Sequence, residues 1–306
     1  MAEIKRAAAI GFFDGVHIGH AALLEKTKQR ALECGAIPSV VSFDVHPDNL
    51  VFGGEVKLIN SALGREDLIR RLFGINEVVF LHFNRHLMTM PWEEFIRSLS
   101  KELNIAHVVV GHDFCFGYHG EGTAEKLRAY CAAHGLGCDV IPAVTLDGRT
   151  VSSSYIRTLI EKGEMEQARR YLGHPHVLTD TVHAGCHLGS QLGAPTINMV
   201  FPEGVLVPRH GVYATRVCLD SGESYCAVTN VGVRPTTGSD NALSVESHLL
   251  DYSGNLYGRR VRVEFYAFLR GEVKFASYEE LSSQIARDAE TAREYFENSK
   301  ANSTDG

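Results

Sequence analysis

No stretch of the sequence reaches the roughly 18 consecutive apolar residues that a membrane-spanning helix needs, so no membrane partner is expected. Low-complexity tracts are absent too. Basic residues are in deficit: 30 Lys and Arg stand against 37 Asp and Glu, a formal net charge of -7. That balance excludes a nucleic-acid backbone as the main partner, because neutralising phosphates needs a basic surface. Small anionic substrates stay within reach, since a local Arg, a metal ion or a helix N-terminus can hold them against the global sign. The 7 cysteines are odd in number and scattered, with no C-x-x-C pair. They read as reduced thiols of a cytoplasmic protein and mainly as core filler. Among the 15 histidines the helix-like pair His183 and His187 flanks Gly185 in apparent strand and loop, so a structural zinc site is not expected. In the N-terminal segment, Gly11 and Asp14 interrupt a short apolar run. It reads as a buried strand, with no signal peptide.

What is present fits two domains: 306 residues with 44% hydrophobic and 22% charged residues suffice for two separate cores. In the first half, short apolar runs such as AAAIGFF, SVVSFDV, EVVFLHF, HVVVGHDF and CDVIPAV alternate with amphipathic stretches, several of them ended by glycine. This predicts an α/β, Rossmann-like parallel sheet with helices on both faces and ligands at the C-terminal strand ends. A helical pair, SSYIRTLIEKG and EMEQARRYLG, closes that domain, and GHPH around Pro175 reads as a linker. The boundaries that follow are 1–176 and 177–306. From about Thr179 the pattern turns to period-two alternation with turns at SG, TGSD and SGN. Serial strands of this kind predict an antiparallel β-barrel or sandwich, followed by one amphipathic helix from Tyr278 to Asn298.

The strongest local signal is GFFDGVHIGH, residues 11–20, where the first strand turns into the first helix. His17 and His20 lie three apart at the helix opening, so both imidazoles can face one anion together with backbone N–H groups and the helix dipole. Gly15 and Gly19 let the backbone approach a phosphate chain closely. Such an arrangement suits attack on an α-phosphate, where catalysis is mostly positioning and charge stabilisation. Read without that context, the two histidines are surface residues near a helix cap. The serines of SSS, 152–154, offer an N-cap and hydroxyl donors, and Arg157 one turn further on can fork onto phosphate oxygens. The plainer reading there is a capped surface helix.

These residues resemble the H-x-G-H nucleotidyltransferases and, within them, the bifunctional riboflavin kinase/FAD synthetase family of bacteria. The resemblance is carried in order by FDVHP (43–47), VVVGHDFCFG (108–117) and VSSSYIRTLIEKGEMEQARRYLG (151–173), with Ser154 in place of the family's Thr. It continues through GAPTIN (193–198), GVY (211–213), NVGVRPT (230–236), VESHLLDY (245–252), LYG (256–258) and the helix with Asp288 and Arg293, and so spans nearly the whole chain. It implies a C-terminal barrel of riboflavin-kinase type. It further implies that His17 and His20 contact the ATP phosphates, that Gly11, Phe12, Asp14, Gly15 and Gly19 belong to the same ATP site, and that Ser152, Ser153 and Arg157 hold the triphosphate. His46, Asp113 and Phe116 fall on the flavin side, although at least one of Phe114 and Phe116 is expected in the core. In the second domain Thr196 and Asn198 match the P-T-x-N motif that helps hold Mg²⁺ and the nucleotide phosphates. Glu246 matches the general base that takes the riboflavin 5′-hydroxyl proton, and Arg293 reaches the flavin site. The implied substrates and products are ATP, riboflavin, FMN and FAD, and the implied state is a monomer or weak homo-oligomer.

Three positions depart from the family pattern: Asp180, Ser190 and Ala194 stand where Gly, Arg and Phe are usual. Losing an Arg from a phosphate loop removes a charge-assisted contact, and Asp180 adds repulsion if it faces the nucleotide. Three readings therefore stay open: the bifunctional enzyme, an adenylyltransferase whose barrel only binds flavin, and a non-catalytic flavin-binding regulator.

Overall fold

The computed structural model describes residues 4–51, 53–183, 196–234 and 242–304. The chain divides into two compact units, Met1–Ser153 and Ser154–Gly306.

In the first unit, β1 (Arg6–Ile10), α1 (Ile18–Cys34), β2 (Ile37–Phe43), α2 (Pro47–Val51), α3 (Ala62–Phe73) and β3 (Glu77–Leu81) are followed by α4 (Arg85–Thr89), α5 (Trp92–Glu102) and β4 (Ile105–Gly111). A small hairpin of β5 (Cys115–Phe116) and β6 (Gly122–Thr123) leads to α6 (Ala124–Ala133) and β7 (Gly137–Ile141), and a second of β8 (Thr145–Leu146) and β9 (Arg149–Thr150) ends the unit. The strands form a five-stranded sheet in the order β3-β2-β1-β4-β7, all parallel. Both faces are covered, which is why the strands read as continuous apolar runs. Ala8, Ile10, Val41, Val108 and Val110 pack with Phe95, Ile96 and Leu99 of α5 and Leu127 and Cys131 of α6. The alternating Ala7, Ala9, Val40 and Val109 are equally buried and point to the opposite face, which α1 covers. Chain order reverses between β1 and β4. The C-terminal ends of these two strands therefore flank the crevice where ligands settle in such sheets.

The helical pair read from sequence as closing the first domain, α7 (Ser153–Lys162) and α8 (Met165–Leu172), falls from Ser154 onward in the second compact unit, and α8 packs against β10 (His176–Thr181) and β15 (Arg260–Arg270). The remaining strands are β11 (Thr196–Met199), β12 (Gly211–Leu219), β13 (Ser224–Arg234) and β14 (Ala242–Leu249), and the terminal helix α9 runs over Tyr278–Thr304, a little past its expected end. The sheet is antiparallel, ordered β10-β15-β12-β13-β14-β11. It curls until its edges meet: just beyond β10, His183 N–H donates to the Asn198 carbonyl of β11 at 2.8 Å, forming one antiparallel bridge. The concave face buries Tyr213, Val217, Val231, Val245, Val263 and Phe265, together with a hydroxyl ladder, Thr215–Thr229–Ser247, linked at 2.7 Å and 2.7 Å. The other face takes α9, whose Ala289, Ala292 and Phe296 pack on Val212, Ala214, Val228 and Ala267.

Candidate functional site

The loop after β1 is built from the inside outward. Asp14 is buried, and its Oδ1 accepts from Ile59 N at 2.8 Å and Asn60 N at 3.3 Å, anchoring the loop to the segment before α3. Its carbonyl accepts from the Ser153 hydroxyl at 2.9 Å, so the SSS segment is brought against the loop. The backbone turns tightly: Phe13, Gly15 and Val16 have φ of 58°, 79° and 45°. A β-branched residue at positive φ is strained, a feature that persists only where its surroundings enforce it. Here Val16 and Phe13 are both clamped in the core.

His17 N-caps α1: its Nδ1 accepts from His20 N at 3.2 Å, which leaves the ring proton on Nε2 as a donor. The two imidazoles stack with centroids 3.6 Å apart and an interplanar angle of 11°. Gly19 is the residue that permits this, because a Cβ there would lie 3.0–3.1 Å from the His17 ring. Burial, then the neighbouring His17 and Arg65, hold the His20 imidazole well below its ordinary pKa, so it is neutral at physiological pH. The pair can therefore meet phosphate as N–H donors without both rings carrying charge.

Beneath the loop lies a residue that no sequence pattern marked. Arg65 of α3 is fully buried; it donates to the Phe12 carbonyl, to Ser42 Oγ at 2.8 Å and to the Phe43 carbonyl at 2.8 Å. Its guanidinium also lies 4.2 Å from the Phe12 ring centroid. Burial lowers its pKa to about 10, against the attraction of Asp14 and Asp44, so it stays protonated at neutral pH. A fixed positive charge thus ties the C-terminal ends of β1 and β2 together. Its only sequence signal was an arginine on the apolar face of a helix.

His46 follows β2 and packs edge-on against Phe12 at 4.7 Å. The structure thus brings together Gly11, Phe12, Asp14, Gly15, His17, Gly19, His20, His46 and Ser153, with Ser152 adjoining. Asp113 lies exposed just past β4. Phe116 is buried in the apolar core, stacked on Phe114 at 5.0 Å, and Phe114 is the more exposed of the two. Arg157, on α7 of the second unit, donates to Ser154 Oγ at 3.4 Å.

The second unit holds a cavity of about 320 Å³ between the outer face of the sheet and α9. Its apolar lining, Val212, Val228, Val273, Phe275, Leu281 and Ile285, suits a ligand with an apolar ring system. Polar groups gather at Thr196, Asn230, Glu246 and His248. The register explains this: Asn198 pairs with Glu246 and Thr196 with His248, while Asn230 pairs with Glu246 from the other side. Arg270 and Asp288 close the cavity through a forked ion pair, 3.0 Å at Nε and 2.7 Å at Nη2, and Gln284 adds a bond to Asp288 at 2.8 Å. Asn230, His248, Arg270 and Glu272 were not singled out from sequence, because alternation alone does not say which face of a strand meets a ligand. Arg293 sits apart from the residues lining this cavity, paired with Asp251 at 3.0 Å.

Among the described residues no three His, Cys, Asp or Glu side chains form a metal cluster. The donors near Glu246 are the hydroxyl and amide oxygens of Thr196 and Asn198, hard ligands that suit Mg²⁺ shared with nucleotide phosphates and water. Asp180, feared to face the nucleotide, accepts instead from Val200 N at 3.1 Å and lies 3.3 Å from His183 Nε2. His187, Ser190 and Ala194 lie outside the described residues.

A parallel α/β unit with stacked histidines beyond the C-terminal end of its first strand, followed by a curled antiparallel sheet that holds an apolar cavity, has the architecture of a two-module transferase acting on nucleotides. Comparison with known proteins gives that class a particular family. Residues 2–155 match the FAD synthetase family model and residues 172–296 the riboflavin kinase model. A bifunctional riboflavin kinase/FMN adenylyltransferase of Pseudomonas fluorescens is 38% identical over 287 residues, covering 94% of this chain and 91% of that protein. The Bacillus subtilis protein of the same name is 33% identical over 300 residues, with 97% and 94% coverage. A crystal structure from Streptococcus pneumoniae titled a macrolide-efflux protein superposes with a TM-score of 0.82 at 26% identity, covering 96% of this chain and 95% of that one. This chain belongs to the bifunctional riboflavin kinase/FMN adenylyltransferase family. No described helix is long and apolar enough to cross a membrane.

Proposed function

We propose that the chain makes both flavin cofactors, phosphorylating riboflavin to FMN in its C-terminal module and adenylylating FMN to FAD in its N-terminal one. The observation that carries this reading is the presence, in one chain, of the His17–His20 stack at the end of β1 and of Glu246 facing the cavity beside Thr196.

In the kinase reaction the isoalloxazine fills the apolar cavity and the ribityl chain runs toward Glu246. The Glu246 carboxylate takes the proton of the 5′-hydroxyl as that oxygen attacks the γ-phosphorus of ATP, and ADP leaves. Thr196 and Asn198 would hold Mg²⁺, which supplies neutralisation of phosphate charge. In the transferase reaction an oxygen of the FMN phosphate attacks the α-phosphorus of the second ATP in line, and pyrophosphate leaves. His17 and His20 donate to the phosphates, Gly15 and Gly19 allow close backbone approach, and Ser152, Ser153 and Arg157 hold the triphosphate. Gly11, Phe12 and Asp14 shape the same site. His46 and Asp113 belong to the flavin-phosphate side, with Phe116 supporting Phe114 from the core. Arg293, paired with Asp251 apart from the cavity lining, would reach the flavin only by leaving that pair.

The functional division is proposed at 176/177, with α7 and α8 counted to the transferase. The enzyme is read as cytoplasmic, monomeric or weakly self-associating, and without a nucleic-acid partner. Incubation with FMN, ATP and Mg²⁺ tests the transferase half: pyrophosphate release in step with FAD is expected, and tight FMN binding without pyrophosphate sinks the proposal in favour of a regulator.

A further inference from the structure

β11 is a four-residue strand at the edge of the sheet that presents Thr196 and Asn198, and among the described residues its ladder runs to β14. On its other side, among the described residues, it meets the segment just past β10 at one bridge, His183 N to Asn198 O. So short an edge has few bonds of its own to hold its position. A side chain completes the seam. Asp180 of β10, three residues before His183, turns one carboxylate oxygen to two groups: it accepts from Val200 N, immediately after β11, at 3.1 Å and lies 3.3 Å from His183 Nε2. The same oxygen thus ties the residue that bridges to Asn198 and the residue that follows the strand. Asp180 is itself fixed, because its backbone pairs with Val261 of β15.

We propose that Asp180 is a positioning residue for riboflavin phosphorylation, stapling the seam between β10 and β11 so that Thr196 and Asn198 face Glu246 in a fixed register. The inference rests on the assignment of Thr196 and Asn198 to the Mg²⁺–nucleotide site. It reverses the meaning of the negative charge at this position. A carboxylate whose Oδ2 accepts the Val200 N–H, with the His183 imidazole 3.3 Å from the same oxygen, is turned into the seam. Removing it leaves Val200 N without its acceptor and frees the end of the strand. A repulsive Asp180 and a stapling Asp180 predict opposite outcomes for one substitution.

The test compares Asp180→Ala and Asp180→Asn in the full-length protein. MgADP binding is measured by titration calorimetry, kinase kcat and KM for ATP are measured separately, and Val200 amide exchange is followed by mass spectrometry. Second-layer residues around a metal site typically carry effects of about 10–100-fold, and the lower end applies to one that acts through a strand. Asp180→Ala should weaken MgADP binding and raise KM for ATP roughly tenfold, with kcat less affected and Val200 exchange faster. Asp180→Asn keeps an acceptor and should stay near the parent. FAD formation from supplied FMN should not change in either variant. Parental MgADP binding in Asp180→Ala overturns the proposal, as does tighter binding in both variants, the signature of relieved repulsion. Asn198→Ala run alongside separates the layers: if it binds MgADP normally, the site assignment fails and takes the staple with it. If it binds weakly while Asp180→Ala does not, the staple alone fails.

Discussion

His176 offers a sharp physical test of the second unit. Its imidazole is 1% exposed, lies 5.6 Å from the Phe265 ring and 6.4 Å from the Phe201 ring, and neither ring nitrogen has a hydrogen-bond partner. Burial, helped by nearby His174, pushes its pKa down to about 3. The unfolded chain returns it to the ordinary value of about 6.5. The unfolded state therefore binds the proton first as pH falls, and stability present above pH 6.5 is lost progressively between about 6.5 and about 3. At about 1.36 kcal/mol per unit, the step from pH 7 to pH 5 costs about 2 kcal/mol through this residue alone. His176→Leu, close in volume, removes the titration and two unpaired nitrogens. The assay is urea unfolding followed by far-ultraviolet circular dichroism at both pH values, because the single tryptophan, Trp92, sits in the first unit. The parent should lose about 2 kcal/mol more than His176→Leu over that interval. Equal losses would refute the buried, neutral imidazole.

Two other substitutions probe the loop after β1. Gly19→Ala places a methyl within 3.0–3.1 Å of the His17 ring, and it should slow FAD formation at least tenfold, an order-of-magnitude expectation for a displaced phosphate contact; a parental rate would mean that the stacked arrangement is dispensable. Arg65→Met removes the donor to the Phe43 carbonyl and one of two donors to the Phe12 carbonyl. Unfolding read from Trp92 fluorescence should show a loss of about 1–3 kcal/mol per carbonyl left unpaired, and an unchanged midpoint would contradict the clamp.

Much of this was legible in the residues because period and punctuation agreed. The apolar runs of residues 6–10, 37–43 and 105–111 became the central parallel strands, and GVY, VESHLL and RRVRVEFYAF became strands of the curled sheet. The H-x-G-H loop was visible because its glycines and histidines act over ten adjacent positions. What escaped depends on distant residues meeting. Arg65 looked like one of several helix arginines, and only folding sets it under Phe12, 53 positions away. Arg270 and Glu272 line the cavity because β15 ends where α9 begins to cover the sheet, a fact of topology and not of local pattern. Asp180 was legible as a departure, but its direction was not, since strand alternation could not reveal that Val200 N would lie beside it.

The central claim is that one chain holds two separable transfer sites, and a time course of riboflavin, ATP and Mg²⁺ resolved by chromatography tests it most directly. The parent should yield FMN and then FAD. His20→Ala should stop at FMN. Glu246→Gln, which keeps size but cannot accept a proton, should lose riboflavin phosphorylation by about 10²–10⁴ yet still convert supplied FMN to FAD. If either substitution, in a folded protein, abolishes both reactions together, or if the parent makes no FMN, the account of two independent sites is wrong.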